Sequence, residues 1–188
     1  CLYHPMNGFT RALDITGRVA LAFSTSGDQL AMAYRKSRRA HNEYDLYLFK
    51  MQQSVLFKSE KLDTEKIRTT DFEDDITAMC YTQNDKFLMC GTSSGRIHAL
   101  QNIRDESKGI NKWVIFKTLS HKHKHEIFKI CFSARFQYMA SLDHKGEFKI
   151  WNGGSMTFIF THQKEESRMY RHFEWHPFVE NELIFGRI

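Results

Sequence analysis

Proline is nearly missing from this 188-residue chain, which has only 2 of them beside 10 glycines, and this leaves little room for low-complexity linker. Long apolar runs are missing too. No stretch approaches the roughly 18 residues that a membrane-spanning helix needs, so no membrane partner is expected. The opening Cys1-Leu2-Tyr3-His4-Pro5 has no charged segment leading into an apolar one, so it does not read as a secretory signal. It also lacks an initiator methionine, and on that ground the chain reads as part of a longer product. The four cysteines, Cys1, Cys80, Cys90 and Cys131, form no C-x-x-C pair. Without a secretion signal they read as free thiols in a reducing compartment, cytoplasmic or nuclear. Cys80 and Cys131 fall inside apolar strand patterns, where a thiol behaves as a small hydrophobe.

Enzyme signatures are equally lacking: there is no G-x-x-x-x-G-K-[ST], no H-E-x-x-H and no G-x-S-x-G. Gly91-Thr-Ser-Ser-Gly95 has the outline of a phosphate loop but neither its lysine nor a following helix, and it reads as a strand-to-strand turn. The expectation is a non-catalytic protein without a cofactor. A hydrophobic fraction of 41% and 16 phenylalanines fit a folded, sheet-rich domain with a sizeable core. The net charge of +5 and a pI near 9.0 point towards acidic partners.

What the chain does have is a repeat. Val19-Ala-Leu-Ala-Phe23, then Ser-Thr-Ser-Gly-Asp-Gln, then Leu30-Ala-Met-Ala33 is its first copy. Ile76 to Gly91 is the second and Ile127 to Ser141 the third, while Tyr170 to Gly186 begins a fourth. In each, an apolar strand ends on an aromatic, a short polar turn follows and a second apolar strand begins. The aromatics are Phe23, Tyr81, Phe132 and Trp175, standing 58, 51 and 43 residues apart. A propeller blade takes about 40–45 residues, so loop insertions account for the excess. All four aromatics, together with Trp151, are expected to be largely buried between sheets.

A third strand completes each copy, at Asp45–Phe49, Arg96–Leu100 and Glu147–Trp151. A fourth, outer strand is read at Ser54–Phe57, Trp113–Phe116 and Thr157–Phe160. These runs are short, aromatic and β-branched, and none has a helical period. The expected fold is all-β: an open arc of a WD-repeat β-propeller, with about three four-stranded antiparallel blades and the start of a fourth. The repeats are bounded at about 18–58, 75–118, 126–161 and 169–188 of a single domain. Such an arc is expected to leave an apolar sheet face bare at each end.

The third copy matches a WD repeat best. His123 stands four residues before Ile127, Trp151 holds the tryptophan position, and Asn152 follows where Asp is usual. The turn position that normally carries a buried aspartate holds Lys145, and Ser94 in the second copy. The hydrogen-bond chain from His through Asp and Ser/Thr to Trp is therefore expected to be incomplete.

From Ser94-Gly-Arg-Ile-His98 the pattern runs through His123-Lys-His-Glu-Ile127, Ala140-Ser141 and Ile150-Trp151. It continues through Phe160-Thr-His-Gln163 into Phe173-Glu-Trp-His-Pro177. This succession resembles the Fizzy/Cortex family of anaphase-promoting-complex activators, most of all a Cortex-type member. The likeness covers the last hundred or so residues; the first seventy match only a generic WD repeat. It implies about three middle blades of a roughly seven-bladed ring. It also implies binding of degron-bearing substrates and ubiquitin ligase subunits, in the control of meiotic or mitotic exit. The family's N-terminal docking box and C-terminal Ile-Arg tail are not found in these residues. Its Asn-Asp-Asn turn for degrons aligns with His144-Lys145-Gly146, a departure from the pattern.

Two basic clusters stand out. Ser120-His121-Lys122-His123-Lys124-His125-Glu126 has three histidines at i, i+2 and i+4, which in an extended strand would share one face and could ligate a metal. The interleaved lysines oppose a cation, so a solvated loop or an anion-binding surface stays open beside it, and no metal is expected. The second cluster is Arg35-Lys36-Ser37-Arg38-Arg39-Ala40-His41. The first copy spends 18 residues from Ala31 to Phe49 where the third spends 11 from Ala140 to Trp151, so this run is an insertion between the second and third strands. Both clusters belong to turns at one end of the blades. Arg35, Lys36, Arg38, Arg39, His121, Lys122, Lys124, His144 and Lys145 are therefore expected to form one rim, either a solvated loop edge or a partner-binding surface for acidic or phosphorylated protein segments. Nucleic acid is the weaker alternative. No aromatic is interleaved with Arg35–Arg39, and the acidic stretch Asp71–Asp75 shares the same end.

Overall fold

The computed structural model of the chain describes residues 2–4, 9–11, 19–35, 44–50, 64–68, 74–105, 110–163 and 172–186. Among them there is no helix, and every sheet is an antiparallel meander. A short hairpin, β1 (Leu2–His4) with β2 (Phe9–Arg11), comes first and has no counterpart in the repeat pattern.

Three four-stranded sheets follow. The first is β3 (Val19–Phe23), β4 (Gln29–Arg35), β5 (Tyr44–Lys50) and β6 (Thr64–Arg68). The second is β7 (Ile76–Tyr81), β8 (Phe87–Thr92), β9 (Ile97–Asp105) and β10 (Ile110–Thr118). The third is β11 (Ile127–Phe132), β12 (Tyr138–Asp143), β13 (Glu147–Asn152) and β14 (Phe158–Gln163). A two-stranded sheet, β15 (His172–Trp175) with β16 (Leu183–Gly186), ends the described chain. None of these sheets closes on itself.

One strand differs from the sequence reading. The outer partner of β5 is Thr64–Arg68, paired Leu46↔Ile67 and Leu48↔Glu65, and not the more apolar Ser54–Phe57, which lies outside the described residues. An outer strand hydrogen-bonds along a single edge, so a charge-alternating segment serves as well as an apolar one.

The turns joining the first two strands of each copy share one geometry. Ser24, Thr82 and Ser133 each donate a backbone N–H across the turn, to the carbonyls of Gln29, Phe87 and Tyr138 at 2.9, 3.0 and 2.9 Å. The chain reverses through positive φ at Gly27, Asp85 and Phe136. The fourth residue of each turn thus occupies the left-handed region, which glycine enters without cost and which is a genuine outlier for phenylalanine.

The sheets stack in sequence order, with β3 against β7, β7 against β11 and β11 against β15. The first sheet presents small residues to the second: Ala20, Ala31 and Ala33 beside Leu46 and Leu48. The second answers with Met79, Tyr81, Leu88, Cys90, Leu100 and Trp113. Large side chains entering an alanine-lined face let the two sheets interlock. The other face of the second sheet, with Ala78, Met89, Ile97 and Ala99, meets Ile127, Ile130, Met139, Trp151 and Met156. Gly91 is needed at this interface, because a Cβ there would fall 2.7 Å from Ile127 Cγ2. The third sheet then packs Ala140, Leu142, Phe148 and Ile150 on Phe173. Polar ties cross the same seams. Thr77 Oγ1 donates to the Ile127 carbonyl at 2.7 Å, and Lys129 Nζ donates to the Phe173 carbonyl at 2.8 Å.

The aromatic that ends each first strand faces the preceding sheet, and this settles their burial. Tyr81 and Trp151 are buried, while Phe132 and Trp175 are partly so. Phe23 is 57% exposed, against expectation. No four-stranded sheet precedes it among the described residues, and its strand turns Ala20 and Ala22, not Phe23, towards the second sheet.

The expected bare end faces are also narrower than the repeat pattern suggests. Leu21 and Phe23 are exposed on the first sheet, but Leu30 and Met32 on the same side are buried. On the last sheet the outward positions are His172, Glu174 and Ile184, which is not an apolar patch.

Candidate functional site

The end of the stack that carries the β8–β9 turn, the 119–126 loop and the β12–β13 turn is built on a buried polar chain. Trp151 Nε1, on β13, donates to Ser141 Oγ on β12 at 2.9 Å, and Ser141 Oγ lies 2.7 Å from His123 Nε2. The other imidazole nitrogen, Nδ1, faces Glu147 Oε2 at 3.3 Å and Asp143 Oδ2 at 3.9 Å. The hydrogen bonds from Trp151 through Ser141 to His123 form, but His123 Nδ1 and Asp143 Oδ2 are buried without a hydrogen-bond partner, so the chain stops short of the acid, as expected from Lys145. The nearest acids are the two strand-end residues that flank the turn, while Lys145 is exposed at its tip. Its own N–H is held by Asp143 Oδ1 at 2.9 Å, as is that of Glu147 at 2.8 Å. Burial lowers the His123 pKa below its ordinary range, against the attraction of the Glu147 carboxylate.

This chain positions the loop. His123 N donates to the Gly95 carbonyl at 2.8 Å, and Lys124 N to Glu147 Oε2 at 3.1 Å. Gly95 has φ +86, and a Cβ there would lie 2.3 Å from the His123 carbonyl oxygen, so the β8–β9 turn can sit this close only as glycine. Gly91–Gly95 is thus the strand-end turn that its sequence suggested.

The predicted rim is brought together only in part. Lys122, Lys124, His144 and Lys145 are exposed, and His144 N donates to the Glu126 carbonyl at 2.9 Å, which ties the two turns into one edge. The His144 ring lies 5.2 Å from Phe128 and its Nε2 3.8 Å from Glu126 Oε1. His121 is exposed in the same loop, its ring stacked on Phe158 at 4.1 Å and its Nδ1 2.8 Å from Ser120 Oγ. Arg35 ends β4, its backbone paired with Tyr44, which places the insertion between the second and third strands. Lys36, Arg38 and Arg39 lie outside the described residues.

Acid shares this end. Ser94 Oγ donates to the Asp74 carboxylate, and Ser93 N to the Asp75 carbonyl at 2.9 Å. This part of the acidic stretch therefore sits beside the turns, as expected.

The three alternating histidines do not converge. His123 is buried while His121 and His125 are exposed. Donors gather instead at His123, Asp143 and Glu147, all within 4.8 Å of one another. Lys149 Nζ stands 3.5 Å from Glu147 Oε1 and already supplies positive charge there, and Ser141 holds the ring from its other nitrogen. Sequence reasoning missed Asp143, Glu147 and Lys149. The only signal was a carboxylate on each side of the turn glycine.

Among the described thiols, Cys90 is buried and Cys80 and Cys131 are partly buried beside apolar side chains. Burial raises the pKa of Cys80 to about 11 and of Cys131 to about 12, and raises that of Cys90 further, so none of these three is poised as a nucleophile. No family model matches the chain, and no curated protein matches it either.

Proposed function

We propose that this chain is an arc of WD-repeat propeller blades serving as a non-catalytic platform for protein binding. The observation that carries the reading is the Trp151–Ser141–His123 chain with its Glu147 and Asp143 acids. It sits in a four-stranded meander whose first strand packs on the first strand of the next copy. A buried polar chain of this kind fixes the loop that enters the third copy and leaves the neighbouring turns free to vary, which is what a binding scaffold needs. By its resemblance to the Fizzy/Cortex family, the platform is a substrate-recognition subunit of the anaphase-promoting-complex ubiquitin ligase, acting in meiotic or mitotic cell-cycle control.

The test is fluorescence anisotropy with labelled degron peptides and with scrambled controls, alongside direct binding to the purified ubiquitin ligase. Saturable binding to both supports the reading. Scrambled peptides binding as well as degrons, and no contact with the ligase, would defeat it.

A generic WD scaffold for acidic or phosphorylated segments is the second reading, favoured by the exposure of Lys122, Lys124 and Lys145 along one edge. Replacing Arg35, Lys36, Arg38 and Arg39 together with serine should weaken binding of a phosphorylated peptide several-fold and flatten its salt dependence. Unchanged affinity would leave this run as a solvated loop.

A further inference from the structure

The opposite end of the stack shows a device used twice and then missing once. In the first turn, the backbone N–H of Thr25 and of Ser26 donate to the two oxygens of Asp85, at 2.7 and 3.0 Å. Both hydroxyls of these residues add to the grip, at 2.9 and 2.8 Å. Asp85 belongs to the next copy. In the third turn, Arg135 N and Gln137 N donate to the oxygens of Glu180 at 2.7 and 3.2 Å, and Ser133 Oγ donates to it as well. Glu180 again comes from the following copy. These hydrogen bonds hold both carboxyls below their ordinary range even though burial alone would raise them. Successive backbone N–H groups of a tight turn form an anion-binding concavity, and the chain fills two of them with its own carboxylates.

The second turn, Thr82 to Phe87, has the same backbone, but among the described residues no carboxylate reaches it; Asn84 Oδ1 accepts there from Lys86 N and Thr82 Oγ1, each at 3.2 Å, which leaves the Gln83 and Asn84 amides. At the place of Asp85 the third copy has Phe136, at φ +59. Gln83 and Asn84 line a cleft of about 260 Å3 between the second and third sheets. Phe87, Phe132, Met156 and Arg135 line it as well, and none of the described acidic residues does. Phe136 stacks on Phe132 at 5.4 Å. Phe136, at a φ that phenylalanine rarely adopts, also lines the cleft.

From this vacancy we infer a binding site for a carboxylate carried on a segment of a partner protein. An acidic side chain would take the position that Asp85 and Glu180 fill elsewhere, donated to by the Gln83 and Asn84 amides and neutralised by Arg135. The apolar residue before it would enter the Phe87–Phe132–Met156 floor. The site lies at the end of the stack away from Lys145, so it is separate from the basic edge.

The probe is acetyl-Leu-Asp-amide, with acetyl-Leu-Asn-amide as its neutral twin, titrated into the full chain while the backbone amide resonances are followed. The aspartyl peptide should move Gln83 and Asn84 saturably and bind about tenfold more tightly than the asparaginyl one, the margin of a charge-assisted over a neutral hydrogen bond. Equal binding by the two, or no shift at either amide, would overturn the site. Phe136→Asp supplies the missing carboxylate from within, and Phe136→Asn is its uncharged control. The Asp variant should lose the peptide and melt above the Asn variant at pH 7, and the gap should close near pH 3. Equal melting at pH 7, or retained binding in the Asp variant, would show that the turn does not accept a carboxylate there.

Discussion

Removing the Ser141 hydroxyl tests the buried chain most directly. Ser141→Ala deletes one oxygen that accepts from Trp151 Nε1 at 2.9 Å and bonds His123 Nε2 at 2.7 Å, and all three residues are fully buried. The cavity left is small, so the cost falls on the orphaned partners. A net hydrogen bond is worth about 1 kcal/mol and each buried group left unpaired costs about 1–3 kcal/mol, which together give a loss of about 3 kcal/mol. For a chain of this length that lowers the melting midpoint by about 6–12 °C. Urea and thermal unfolding, followed by circular dichroism, would measure it. Ser155→Ala, an exposed hydroxyl control, should stay within about 0.5 kcal/mol. Trp151→Phe removes the indole donor and therefore one of the orphans. The double variant should lose about 1 kcal/mol less than the sum of the two single losses. A Ser141→Ala loss below about 0.5 kcal/mol, or strict additivity, would refute the chain as a stabilising unit.

Two further outcomes follow from the same turns. Burial depresses the folded-state pKa of His123 below its ordinary 6.5, so the unfolded chain binds the proton first. Its stabilising contribution is complete above about pH 6.5 and is lost as pH falls below that. The melting midpoint should therefore drop between pH 7 and 5, and His123→Gln should flatten the slope. Asp85 and Glu180, whose pKa values are lowered in the fold, add a second loss of the same sign below their ordinary 3.8 and 4.5. Gly95→Ala and Gly27→Ala form a matched pair at φ +86 and +75. The second meets open space and should cost about 1 kcal/mol, whereas the first drives a Cβ into the His123 carbonyl and should cost several times more, read as the difference in urea midpoint. Equal losses would mean that the two turns are not in contact.

The strands were legible wherever a side chain faced a neighbouring sheet. The aromatic at the end of each first strand, the polar turn and the second strand located the first two strands of all four copies to within a few residues. Thr64–Arg68 was not legible, because an outer edge strand is selected by backbone pairing and Thr-Glu-Lys-Ile-Arg carries no apolar alternation. The buried histidine and tryptophan were found by spacing, but their acid was not. Asp143 and Glu147 reach His123 from either side of a turn, and only folding shows that two flanking positions converge. Phe23 was misjudged for the opposite reason: its sequence matches Tyr81 and Phe132, but burial depends on which sheet stands before it. The vacancy beside Gln83 was out of reach, since Phe136 reads as one more aromatic until two carboxylates are seen in the equivalent turns.

Each sheet pairs only strands that are consecutive in the chain, and each face waits for the copy made next. During synthesis, the alanine-lined face of the first sheet is finished when Arg68 emerges. It remains uncovered until Met79 through Trp113 have followed. The stack therefore has no common centre, and each seam between sheets can form only after the later of its two sheets has been made. A pause between residues 68 and 113 is the interval when the alanine-lined face is most open to other chains.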